Sequence, residues 1–219
     1  MAELWDTFIC LDTETGGTNP AVNQILTLDA TAVRLQGGQL HAIGQAFHGE
    51  FAIDPGLQLE PRALAVNGID PQTWSGQRGA LVLRGFQEWV RQTCGQGYVI
   101  PMGYNVGFDL EMLKAEYLRH PGGGRYTDSL SYRSVDVLQL AVLAVALGFL
   151  PATKSLKLVD VCALLGIPTE GAHSSAVDVR LTLDAFNALT KRMGLSAGLS
   201  SGKVKEGPAD LPQLEMGLE

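Results

Sequence analysis

The stretch FICLDTETGG, residues 8–17, decides the reading of this chain. Phe8, Ile9, Cys10 and Leu11 form an apolar run short enough for a buried strand, and two carboxylates, Asp12 and Glu14, stand at its end. Residues two apart in a strand point the same way, so these acids share a face and lie about 6–7 Å apart along it. Two carboxylates that close ionise together only when a cation sits between them. The plainer alternative is a pair of turn residues capping a following helix. Other acids must decide between the two.

Two further segments supply them. In GYNVGFDLEML, residues 103–113, Asp109 follows an apolar strand and a glycine-containing turn, in the first turn of a helix whose inner face carries Met112 and Leu113. Compensation of the helix dipole would suit an acid there equally well, and Glu116 shares that face. In HSSAVDVRLTLDAFNAL, residues 173–189, a helical rotation of 100° per residue sets Leu181, Ala185, Ala188 and Leu189 within about 80° of Asp178. Asp178 thus centres the face that packs on the sheet. A buried carboxylate without a partner would cost several kcal/mol, and a metal ion shared with Asp12 and Glu14 is a fitting partner.

His173 lies five residues before Asp178, on another helical face, and can join the same site only from the loop before the helix, with Ser174 or Ser175 as cap. A lone histidine is ordinarily a surface or capping residue; beside clustered acids it is the natural proton acceptor at neutral pH. His41, His48 and His120 have no such neighbours in the sequence and read as structural.

Composition bounds the function. The chain has 219 residues, 46% of them hydrophobic, enough for one domain with a real core. Its net charge of −7 argues against a broad grip on duplex phosphates, which calls for a basic surface. It leaves room for a short strand end taken into a metal-charged pocket, since two divalent cations would raise the effective charge to about −3. Residues 137–150 are apolar but too short to span a membrane, and the first residues lack the pattern of a secretory leader. Cys10, Cys94 and Cys162 sit far apart in apolar segments, as reduced thiols of a cytoplasmic protein would.

Strands are expected over 7–12, 24–35 and 40–53, then near 98–104 and 132–136. Helical segments are expected over 61–66, 71–74, 80–92, 109–119, from 137 to 148, 155–165 with Ser155 as cap and Gly166 as stop, and 175–193. Three antiparallel strands followed by alternating strands and helices imply an α/β fold, a central five-stranded mixed sheet flanked by helices. Residues 1–195 form the domain. Residues 196–219, rich in Gly, Ser and Pro, read as a disordered tail.

LDTETGG, YNVGFD and His173-x4-Asp178, in this order, resemble the motifs of the DEDDh 3′–5′ exonucleases, the DnaQ-like superfamily that includes proofreading subunits and ribonuclease T. The histidine branch is indicated, because the tyrosine branch would want Tyr where Ser174 stands. The resemblance implies a ribonuclease H-like fold and two-metal hydrolysis with Mg²⁺ or Mn²⁺. It gives Asp12, Glu14, Asp109 and Asp178 as ligands, His173 as the base, and Glu14 also as a seat for the terminal 3′ hydroxyl. Thr15, Gly16, Asn67, Tyr104 and Asn105 would border the substrate. There are departures: Gly16 replaces a common Thr, Thr27 stands where the second strand often has an acid, and Tyr104 stands where many relatives carry His. Arg125, Arg133, Lys154 and Lys157 are candidates for backbone contacts. The expected partner is the 3′ end of single-stranded nucleic acid, DNA before RNA. The alternatives are an RNA 3′-trimming enzyme and an inactive polymerase-docking module. Residues 211–218, LPQLEMGL, resemble the short peptides by which bacterial replication proteins dock on the sliding clamp, so a clamp or a DNA polymerase is the expected partner of the tail.

Overall fold

The computed structural model of the protein describes residues 3–95, 97–172 and 174–195. In chain order its strands are β1 (Glu3–Thr15), β2 (Ile25–Gln36), β3 (Gln39–Ala42), β4 (Phe47–Glu50), β5 (Tyr98–Gly103) and β6 (Val135–Asp136). The helices are α1 (Pro61–Asn67), α2 (Gly79–Cys94), α3 (Val106–Arg119), α4 (Val137–Ala146), α5 (Leu158–Leu165) and α6 (Ser175–Arg192). The sheet runs β3-β2-β1-β5-β6, with β4 also on β2. Strand β1 lies at its centre, antiparallel to β2 and parallel to β5.

The central strand separates two cores by its alternation. Ile9 and Leu11 point to one side, where Val82, Leu83, Phe86 and Val90 of α2 and Leu110, Met112 and Leu113 of α3 cover them. Phe8 and Cys10 point to the other, against Val137 and Ala141 of α4, Val161 of α5 and Val179, Leu181, Ala185 and Leu189 of α6. The apolar face expected for α6 is thus the buried one. Asp12 and Glu14 continue the even-numbered series and emerge on the α6 side. Thr13 emerges on the α3 side.

The structure departs from expectation in four places. The strand expected over 40–53 is two strands, so the described residues form six instead of five. The chain turns away after β3, passes Gly44 in the left-handed region at φ 68°, and returns as β4 opposite Thr27–Ala30. Residues 71–73 form turns instead of a helix. Helix α5 is capped at Lys157, while the Ser155 hydroxyl turns to Asp160 at 2.5 Å. Helix α3 starts three residues before Asp109, after Asn105 in the left-handed conformation. Gly166 closes α5 as expected, at φ 73°. Among the described residues no helix is long and apolar enough to cross a membrane.

Candidate active site

Asp12 and Glu14 leave the end of β1 on the face covered by α6, whose first turn brings Asp178. One carboxylate oxygen from each lies within 4.8 Å of the others, and all three residues are half-buried. Burial, with the charges of Asp109, Asp178, Glu14 and Asp29 adding to it, raises the Asp12 carboxyl well above the usual range. Glu14 is lifted from 4.5 to about 7, first by burial and then by Asp178, Asp109 and Asp29. Three acids that repel one another at the edge of solvent form a set of hard oxygen donors, the kind that suits Mg²⁺ or Mn²⁺. The residues present therefore fit a divalent cation.

Asp109 stands beside this group without joining it. Its Oδ1 accepts from the Thr13 amide at 3.0 Å and from the Thr13 hydroxyl at 2.7 Å, on the α3 side of β1. Burial lifts its carboxyl to about 7 even though the Thr13 hydrogen bonds pull the other way. Its charge is the largest of those that raise Asp12. Glu116, which shares its helix face, is spoken for elsewhere: it accepts from the Ile25 amide at 2.9 Å and pairs with Arg119 at 2.9 Å.

The turn that delivers Asp109 is tightly specified. A Cβ on Gly103 would meet the Leu11 carbonyl oxygen at 2.8 Å, so only glycine lets β5 close on β1 there. Asn105 follows at φ 59°, and its amide donates to Asp136 Oδ1 at 2.9 Å. Asparagine tolerates that conformation better than most residues.

A cavity of about 500 Å³ opens beside Glu14, between the 13–18 segment and α1, with Phe108, Val66 and Arg62 also on its wall. Asn67 donates to the Thr15 carbonyl at 3.1 Å, and the Glu60 amide donates to the Gly16 carbonyl at 2.6 Å. Thr15, Gly16 and Asn67 are therefore brought together at one side of this cavity. Tyr104 and Asn105 do not line this cavity. The Tyr104 hydroxyl donates instead to the Leu156 carbonyl at 2.5 Å. Phe108 and Arg62 were not anticipated from sequence; Phe108 was readable as the residue before Asp109, but only the fold shows which way it faces. Arg125, Arg133, Lys154 and Lys157 do not line the cavity either. Arg125 pairs with Asp128 at 3.1 Å, and Arg133 stacks over Tyr132 at 4.4 Å. His173 lies outside the described residues, as does the segment 211–218.

The structure also adds residues. Cross-strand pairing sets Asp29 opposite Asp12 and Thr27 opposite Glu14. Asp29 is bonded to His48, whose Nδ1 lies 2.9 Å from Oδ1. His48 thus has the acidic neighbour that sequence reading denied it, because β4 returns onto β2 only in three dimensions.

A ribonuclease H-like sheet whose central strand ends in acids, met by an acid from the last helix, defines a class of nucleases. The family model described as Exonuclease matches residues 9–186, and the chain belongs to that family. It is a 3′–5′ exonuclease of the DEDDh, DnaQ-like type. Ribonuclease T of Shewanella frigidimarina is 26% identical over 211 residues, covering 90% of this chain and 88% of the relative. Ribonuclease T of Photorhabdus laumondii is 28% identical over 195 residues, covering 84% and 83%. Among solved structures, Escherichia coli exonuclease I with a dT13 oligonucleotide matches with a TM-score of 0.70 at 22% identity, over 87% of this chain and 42% of that one. The zinc-bound exonuclease I–single-stranded DNA complex matches with a TM-score of 0.72 at 21% identity, over 89% and 42%. The chain spans less than half of exonuclease I, and at this identity the likeness is one of fold.

Proposed function

We propose that this exonuclease hydrolyses the terminal phosphodiester of single-stranded 3′ ends in a metal-dependent reaction, releasing nucleoside 5′-monophosphates, with DNA as the first substrate. The observation behind this reading is the convergence of Asp12, Glu14 and Asp178 within 4.8 Å beside a cavity of about 500 Å³. Two Mg²⁺ or Mn²⁺ ions bound there would neutralise these acids and stabilise the attacking and leaving oxygens. Asp12, Glu14 and Asp178 would hold the first, and Asp12, with Asp109 assisting from beside the group, would hold the second. Glu14 seats the terminal 3′ hydroxyl, and Thr15, Gly16 and Asn67 shape the wall against the last nucleotide. Phe108 and Val66 offer it apolar surface. His173, immediately before the α6 cap, accepts the proton of the attacking water.

A second reading, trimming of RNA 3′ ends, is favoured by the name ribonuclease T borne by the relatives that match nearly the whole chain. Matched oligomers of DNA and RNA, labelled at the 5′ end and incubated with Mg²⁺ or with chelator, test both. Stepwise shortening of DNA only with Mg²⁺ supports the first reading. Stronger shortening of RNA supports the second, and shortening in chelator contradicts both. A tether through residues 211–218 to a sliding clamp or a polymerase in the cytoplasm, as in proofreading, belongs to the same proposal. Unchanged clamp binding after removal of residues 211–219 would contradict it.

A further inference from the structure

Ser175 and Asp178 lie three residues apart at the start of α6, so both side chains face the sheet. Asp178 meets the end of β1, whereas Ser175 meets β2. The Ser175 hydroxyl lies 2.5 Å from Asp29 Oδ2 and 2.8 Å from Thr27 Oγ1. A hydroxyl has one proton; given to the carboxylate, it leaves only lone pairs for Thr27, whose hydroxyl must then donate. The other Asp29 oxygen lies 2.9 Å from Nδ1 of His48, and Nε2 of His48 lies 3.5 Å from Glu50. Asp29, Ser175 and Thr27 are buried, and the His48 side chain is 56% exposed.

This arrangement is aimed at the site. Asp29 and Thr27 are the direct cross-strand neighbours of Asp12 and Glu14. A bond from them to Ser175 therefore ties the helix that bears Asp178 to the strand pair that bears the other two acids. Among the described residues the carboxylates that converge are those of Asp12, Glu14 and Asp178, while Asp29 bonds to the helix with one oxygen and to His48 with the other, so its part is to hold.

We propose that Asp29, oriented by His48 and bonded to Ser175, is a positioning residue that sets Asp178 at metal-binding distance from Asp12 and Glu14. The proposal rests on the metal-dependent reading above. It accounts for an acid two positions along β2 from Thr27, on the same face, and for a serine at the first residue of α6.

Titration of Mn²⁺ into the full chain, followed by the loss of the free-ion electron paramagnetic resonance signal, tests it. Ser175→Ala should weaken Mn²⁺ binding about tenfold, the usual effect of removing a group that orients a ligand. Ser175→Thr, which keeps the hydroxyl, should restore it. His48→Ala removes a ring that is more than half exposed; it should weaken binding by less than Ser175→Ala does, and add nothing to Ser175→Ala in the double variant. In turnover, the metal concentration for half-maximal rate should rise in Ser175→Ala while KM for the oligonucleotide stays the same. Wild-type Mn²⁺ affinity in both single variants would overturn the proposal. Absence of Mn²⁺ binding by the wild-type chain would overturn the metal reading itself, a distinguishable failure.

Discussion

Thr13 holds Asp109 with two hydrogen bonds, one from its amide at 3.0 Å and one from its hydroxyl at 2.7 Å, across the end of the central strand from Asp12. The hydroxyl bond stabilises the ionised form of a buried acid. Thr13→Val keeps the shape and loses that bond. It should lower stability by about 1.5–3 kcal/mol at pH 8, where Asp109 is charged, and by less at pH 6, where it is protonated. Urea unfolding at the two pH values checks this, and an equal loss at both would contradict it.

Metal-free stability should fall as pH rises. Glu14 and Asp109 are lifted to about 7, and Asp12 is raised as well, chiefly by burial. Between the ordinary carboxyl range and about 7 the folded chain holds protons that the unfolded chain has released. Stability from these groups is then fully present below about 4.5 and is lost as pH passes through 7. The melting temperature in chelator should drop between pH 5 and 8, and saturating Mg²⁺ should remove the drop.

The same repulsion sets activity against stability. Asp12→Asn and Asp178→Asn should reduce hydrolysis by about three orders of magnitude or more, the scale of several kcal/mol of charge stabilisation. Both should melt above the wild-type chain at pH 8 in chelator, since each removes one of the clustered charges. Melting curves and oligonucleotide digestion on the same preparations check the pair of effects.

Gly103→Ala should be among the costliest glycine substitutions in the sheet. Its Cβ would press on the Leu11 carbonyl, a backbone atom that cannot swing aside, and on Val106 at 3.0 Å. A loss of about 1–3 kcal/mol is expected, together with weaker metal binding, because Leu11 precedes Asp12 and Val106 leads to Asp109. Chemical unfolding and Mn²⁺ titration measure the two.

Much of this was legible in the sequence because it depends on short periods. The two-residue alternation of β1 sets Asp12 and Glu14 on one face, and the helical period of α6 turns Asp178 to the sheet. What the sequence could not show depends on register and long-range return. The pairing of Asp12 with Asp29 requires knowing how β1 slides on β2. The bond from His48 requires the break at Gly44 that sends β4 back over that strand, the same break that made one expected strand into two. Asp109 was expected among the acids, but its bonds to Thr13 place it on the α3 side of β1, which only the separation into two cores reveals. Tyr104 looked like a substrate neighbour by its motif, yet its hydroxyl is claimed by the Leu156 carbonyl from the α4–α5 connection.

The central claim is that these acids converge to hold divalent metal. A crystal of the full chain soaked in Mn²⁺, measured for anomalous scattering, tests it most directly. The account predicts an anomalous peak bounded by carboxylate oxygens of Asp12, Glu14 and Asp178. A map without a peak among them, with manganese bound elsewhere in the same crystal, would contradict it.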